Sequence, residues 1–401
     1  MNKFKIKLSA LVVTALATGA ANAYDLNLGK DQTVSFHGFL SQGYIASSEY
    51  NYLAPNTTDG GSFEFTEIGV NATYSPFSRT RIAVQGFAFD VGDVGNFNPI
   101  LDYASLEYAF ADEIGFRGGR IRKPGGIYNH IQDLDLARTS VLLPQGIYDV
   151  RWRDFSTSLD GAELFGNIPM NKAGSLSYEA FGGYMHLSDE GGIATLLKNS
   201  FAGTGTTLNG LDSFLNVGAQ LWWNTPLEGF RVGGYVGNAF EFAYDYTAGG
   251  LFPARSESDA FVTQFSLEYL WKSWTFQAEY YSLALDGQSV MSTPFGAVVT
   301  PSTSHQDAWY TGAAYRFNSW LEVGSYYTQF YTSQGERNGP NDTFQKDLAL
   351  SFRFDVKDWW IVKLEGHWIQ GTALLRDNVA NPPPHTQEDW FMLALKTTFS
   401  F

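Results

Sequence analysis

Charged residues crowd one stretch of this chain. Arg120, Arg122 and Lys123 enter it, Arg138 stands within it, and Arg151 and Arg153 leave it. Asp133, Asp135, Asp149 and Asp154 are interleaved with them. Arg79 and Arg81 are expected on one face of a strand over 78–91, near a short turn and below the level of that stretch. Opposed charges across a narrow aqueous passage create a transverse field. Such a field orients dipolar solutes and disfavours apolar ones, whereas rings of one sign set ion preference. The same residues suit a second task, pairing with one another to pin a segment to its support. The two roles are compatible.

The segment carrying these charges, 123–153, reads KPGGIYNHIQDLDLARTSVLLPQGIYDVRWR. It contains Ile127, Ile131, Leu134, Leu136, Val141, Leu142, Leu143 and Ile147. A solvent-exposed loop has little reason to carry them, and a loop folded inward against a wall does. Structureless segments of this length are usually functional.

The wall is legible as strands. Near the C-terminus Phe391, Leu393, Leu395, Thr397, Phe399 and Phe401 share one parity, and Trp390, Met392, Ala394, Lys396, Thr398 and Ser400 the other. Successive strand residues point to opposite faces, so one face is apolar and the other largely polar. Phe261, Phe265, Leu267 and Tyr269 likewise oppose Gln264, Ser266 and Glu268, and Trp360, Val362, Leu364 and Trp368 oppose Lys363, Glu365 and His367. Expected strands span 33–48, 62–75, 78–91, 100–111, 113–122, 154–166, 174–187, 213–224, 229–243, 259–271, 273–286, 305–317, 319–333, 344–355, 358–371 and 388–401. Connections alternate between short turns, such as Ser75–Ser78, and long ones, such as Ser188–Asp212, Asp245–Ser258, Gly287–Ser304 and Thr372–Gln387. That alternation predicts an even strand count. Met1–Ala23 carries Lys3, Lys5 and Lys7, an apolar run and the small-residue site Ala21-Asn22-Ala23, the pattern of a cleaved secretory signal. The expected fold is all-β: a transmembrane antiparallel β-barrel of about 16 strands over 24–401, closed because lipid leaves no partner for a free edge, with 123–153 folded into its lumen.

Composition narrows the function. The formal charge of -15, less the three lysines of the signal, becomes -18, which argues against nucleic acid as a partner. There is no cysteine, hence no disulfide framework and no thiolate nucleophile or ligand. With 32 Phe, 22 Tyr and 11 Trp the chain can furnish aromatic girdles at both membrane interfaces. A mean hydropathy of -0.17 suits strands that are half polar. None of His37, His130, His186, His305, His367 and His385 stands in a catalytic signature, and no G-x-S-x-G elbow occurs. Asp133-Leu134-Asp135 lacks the glycine turn and terminal Glu of a calcium loop. No enzyme activity, metal or cofactor is expected.

The chain resembles Gram-negative outer-membrane porins in its signal segment, strand number, long third loop and terminal Phe401. The resemblance implies a third loop that narrows the lumen and passive diffusion of small hydrophilic solutes and ions, filtered by size and charge. It also implies homotrimers, a lipid and lipopolysaccharide environment in the outer membrane, and recognition of the Phe401 strand by the assembly machinery. Two alternatives stay open. One is a substrate-selective channel, either for organic anions or for sugars, the sugar channel using aromatics such as Tyr103, Tyr128, Tyr148, Trp152, Tyr281 and Tyr310. The other is a closed surface-binding or catalytic barrel.

Overall fold

The computed structural model describes residues 24–29, 32–334, 337, 339–375, 381 and 383–401; the expected signal, 1–23, lies outside the described residues. Eighteen strands are described: β1 (Tyr24–Gly29), β2 (Gln32–Ser47), β3 (Phe65–Tyr74), β4 (Thr80–Val91), β5 (Ile100–Ala111), β6 (Ile114–Arg122), β7 (Ser158–Pro169), β8 (Ser175–Met185), β9 (Thr207–Leu211), β10 (Phe214–Asn224), β11 (Phe230–Ala248), β12 (Phe252–Trp271), β13 (Trp274–Thr293), β14 (Gly296–Arg316), β15 (Leu321–Tyr331), β16 (Phe344–Lys357), β17 (Trp360–Gly371) and β18 (Asp389–Ser400). Two helices belong to loops: α1 (Arg153–Ser156) and α2 (Gly192–Ser200).

Sixteen strands form a closed antiparallel barrel. Each of β2–β8 and β10–β18 pairs with its neighbour in the chain, β8 pairs with β10, and β18 returns to β2. Closure removes the free sheet edge. The seam continues past β18, since Phe401 and Gly38 exchange both backbone bonds at 2.9 and 3.0 Å. A Cβ on Gly38 would fall 2.5 Å from the Phe401 ring, so the seam needs glycine there. The two remaining strands are additions: β1 folds back on β2, and β9 lies beside β11.

The expected alternation is present. On β18, Trp390, Met392, Ala394, Lys396 and Thr398 are buried, whereas Phe391, Leu393 and Leu395 are exposed outward. Lys363, Glu365 and His367 of β17 and Gln264, Ser266 and Glu268 of β12 are buried on the inner face.

Two expected outer loops are not loops. β11, β12, β13 and β14 run for 19, 20, 20 and 21 residues, so Asp245–Ser258 and Gly287–Ser304 are mostly strand. About 10 tilted residues suffice to cross an apolar band, so these hairpins project well beyond one. Turn chemistry is confined to their tips, where Gly249, Gly250 and Gly296 have positive φ. The flanking Ser- and Thr-rich segments satisfy their backbone groups by extending the ladder. The expected loop Ser188–Asp212 contains α2 and β9.

Candidate functional site

Residues 123–157 leave β6 and turn inward, meeting the lumen wall at three separated places. At the first, on β12 and β13, Glu279 accepts from the Ile127 amide at 2.9 Å and from the Tyr148 hydroxyl at 2.6 Å. Ser266 and Gln264 complete its coordination at 2.5 and 3.0 Å. Gly126 makes this approach possible. Its φ is +63°, and a Cβ there would collide with Gln264, Glu279 and Tyr148.

The second place lies on β5 and at the end of β6, the strand from which the loop departs. Asp133 sits between Arg122 and Arg153, both of which also hold Asp102 of β5; Arg153 reaches Asp102 at 2.7 Å and Asp133 at 3.0 Å. The Arg153 guanidinium lies over the Phe87 ring at 4.1 Å. Asp102 is the extra residue of a bulge, since Gln85 opposes Tyr103 while Gly86 opposes Leu101. Gln85 bonds its carboxylate at 2.9 Å.

The third place is on β15–β18. Asp135 faces Arg138, Lys396 and Lys363 at 3.1, 3.2 and 3.4 Å and accepts from the Thr398 hydroxyl at 2.5 Å. Lys363 also donates to the Asp135 and Ser140 carbonyls at 2.7 and 3.0 Å. Arg353 donates to the Leu136 and Arg138 carbonyls at 2.7 and 3.2 Å, and Thr139 bonds Glu322. Glu365 then accepts from the Val141 and Leu142 amides, both at 2.8 Å. It is held in turn by Ser351 at 2.5 Å and by His367, which also faces Asp347 at 2.9 Å. Val141 and Leu142 pack with Ile45, Phe65 and Phe87, while Ile127, Leu143 and Tyr148 pack with Trp222, Tyr310 and Tyr326.

Burial alone would raise the Asp133 and Asp135 carboxyls. Arg122 and Arg153 outweigh it for Asp133, and Lys363, Lys396 and Arg138 for Asp135, so both are held below the ordinary carboxylate range. Removing one member of such a buried set costs about 3–5 kcal/mol, because its partners are left uncompensated.

The expected charges therefore fall into groups. Arg122, Asp133, Asp135 and Arg153 are pinned between loop and wall, whereas the Arg138 guanidinium ties the loop to itself through Asp135 and the Val141 carbonyl. Asp149 and Arg151 pair with each other at 2.5 Å, Asp149 also capping the turn through the Arg151 amide at 2.9 Å. Lys123 is buried and, among the described residues, meets no carboxylate; it donates to the Phe155 carbonyl at 3.1 Å. Arg120 stands apart, on the parity of the exposed Phe116 and Leu164, facing Asp160 at 3.5 Å. Arg79 is not on a strand face as expected. It has a φ of +66°, precedes β4 and donates to the Phe110 carbonyl at 2.6 Å. Arg81 is exposed on the inner parity of β4. Leu134 and Leu136 are exposed rather than packed on the wall.

Free volume lies on both sides of the loop. Towards the short turns are cavities of about 390 and 460 Å3, the first touching Glu268, Gln277, Arg316 and Glu322, the second Asn167, Glu179 and Arg231. Towards the long hairpins is one of about 480 Å3.

No protein-family model and no curated protein matches the chain. Solved structures do. OmpT of Vibrio cholerae, outer-membrane expressed, aligns over 94% of this chain and 100% of its own at 14% identity and a TM-score of 0.56. The anion-selective porin from Comamonas acidovorans aligns over 92% and 100% at 10% identity and 0.57. Salmonella typhi OmpF, solved as a complex with daunomycin, aligns over 94% and 100% at 12% identity and 0.55. The fold is the closed barrel of outer-membrane porins.

Proposed function

We propose that this chain is an outer-membrane channel for passive diffusion of small hydrophilic solutes and ions, narrowed by residues 123–153. The observation that carries the reading is a charged loop fixed to three sectors of the inner wall, with free volume above and below it. A plug would need no cavities, and a surface receptor would need no inward loop. Export through a cleaved 1–23 signal, residence among lipid and lipopolysaccharide, and delivery by the assembly machinery through the Phe401 strand belong to the same reading. So does trimerisation, since V. cholerae OmpT was also solved in a trimer form.

One arrangement speaks for catalysis. His186 Nδ1 meets the Ser213 hydroxyl at 2.5 Å and its Nε2 meets Asp160 at 3.3 Å. The His186 and Asp160 side chains are about half exposed, and Asp160 is shared with Arg120, which makes this a solvated rim network rather than a desolvated nucleophile. Labelling by a fluorophosphonate that is abolished in Ser213→Ala would reverse that judgement.

The test of the channel is conductance of the purified protein in planar bilayers under a salt gradient. Open steps in groups of three support a trimeric porin, and the reversal potential reports which charges rule the passage. Folded protein that gives no steps overturns the proposal.

A further inference from the structure

The cavity on the hairpin side of the loop differs from the two on the other side. Much of its wall is aromatic and aliphatic, with Trp152 and Phe155 from the end of the loop, Leu197 from α2, Leu283 and Leu285 from β13, and Phe330 from β15, beside polar groups such as Gln145, Ser256 and Gln306. A water-filled vestibule for inorganic ions gains nothing from such a lining. Apolar concave surface of this extent is characteristic of a ligand site, and 480 Å3 falls in the usual range of about 300–1,000 Å3 for one.

One charge faces this lining without an acidic counterpart. Lys123 lines the cavity and is only 8% exposed. Its ammonium donates to the Phe155 carbonyl at 3.1 Å and lies 5.4 Å from the Phe155 ring centre. Arg122, Arg138, Arg151 and Arg153 each hold a carboxylate within 3.1 Å, and Lys123, among the described residues, holds none. Burial lowers its amine to about 8, which leaves it mostly protonated at neutral pH. Burying an uncompensated cation is costly, and a bound anion offsets that cost. Asp149 does not supply one, since Arg151 takes it bidentately, Nε donating to Oδ1 and Nη2 to Oδ2.

We infer that this outer vestibule binds a small single-headed organic anion, a carboxylate on an aryl or branched-alkyl body, with Lys123 holding the head and the Trp152–Leu285 lining holding the body. The inference rests on the channel reading, for which the vestibule would be the entry site. Carboxylate and apolar body are both required, so neither a bare inorganic anion nor a neutral sugar fits.

The experiment is calorimetric titration of the purified folded barrel with 3-phenylpropionate, its neutral amide and acetate, beside bilayer conductance of the same preparation. Expected is saturable binding of the acid at least about tenfold tighter than the amide, as one compensated charge allows, and no saturation with acetate. Lys123→Met should bring the acid down to the level of the amide, and Lys123→Arg should restore the preference. Leu285→Asn should weaken acid and amide together, and it keeps the idea testable if Lys123→Met does not fold. Equal binding of acid and amide by the unaltered protein overturns the inference, as does an acid preference that survives Lys123→Met. Open steps without acid preference remove the site and leave the channel; acid preference without steps removes the channel and leaves the site.

Discussion

Glu365 ties two consecutive loop amides to the wall, and its removal can be sized. Its carboxylate accepts the Val141 and Leu142 amides, both at 2.8 Å, in a place closed to water. In Glu365→Ala both amides lose their acceptor and no solvent replaces it. Each unsatisfied buried donor costs about 1–3 kcal/mol, so the docked loop loses roughly 2–6 kcal/mol. His367 and Ser351 also lose a partner, which places the effect above the lower bound. At about 1.4 kcal/mol per decade, a loss of 3–4 kcal/mol accelerates local opening some 100- to 1,000-fold. Glu365→Gln keeps one carbonyl oxygen for one amide and should accelerate it about tenfold. Hydrogen–deuterium exchange of the peptide containing Val141 and Leu142 reads this directly, with β10–β12 as internal reference. Protection within about twofold of the unaltered protein, in a barrel that still folds, would refute the claim that Glu365 holds the loop.

Gly126→Ala should cost about 2 kcal/mol, combining left-handed strain with displacement of the Tyr148–Glu279 contact, and should speed exchange at the Ile127 amide. The Asp135 carboxyl is held low in the folded protein, so its contribution is complete above the unfolded value near about 3.9 and fades as pH falls through the folded one. Conductance should therefore hold steady from about pH 6 to about 5 and become noisy only below about 4 as the loop loosens; conductance that stays equally quiet down to about pH 2 would contradict the assignment. Arg81→Glu should move the reversal potential towards cations, and Arg120→Glu should move it much less, because Arg81 faces inward and Arg120 faces Asp160 on the other parity. The opposite ranking would place the field elsewhere.

Much of this molecule was readable from period alone. Side chains alternate with period two, so Lys363, Glu365 and His367 had to share a face with one another and oppose Leu364 and Trp368. Apolar residues in 123–153 pointed to an inward loop, and Val141, Leu142 and Leu143 are buried there. The pairing of that loop with the wall was not readable. Asp135 meets Lys363, Lys396 and Thr398 through contacts between residues more than two hundred positions apart, which no local pattern encodes. Asp102 escaped for a different reason: a bulge takes it off the regular alternation of β5. Gly and Pro near 249 and 296 read as long loops because turn residues mark where a chain reverses, not how far the ladder continues beside the reversal.

The attachment of the loop at three sectors has a mechanical side. A flap hinged at its ends moves independently of the wall, but a segment tied at β5–β6, β12–β13 and β15–β18 is a brace across a cylinder. Its shape follows the roundness of the ring. Squeezing the barrel across one diameter would shorten one span of the brace and stretch another. The placement of the brace is thus a property of the whole ring as much as of the residues that line it.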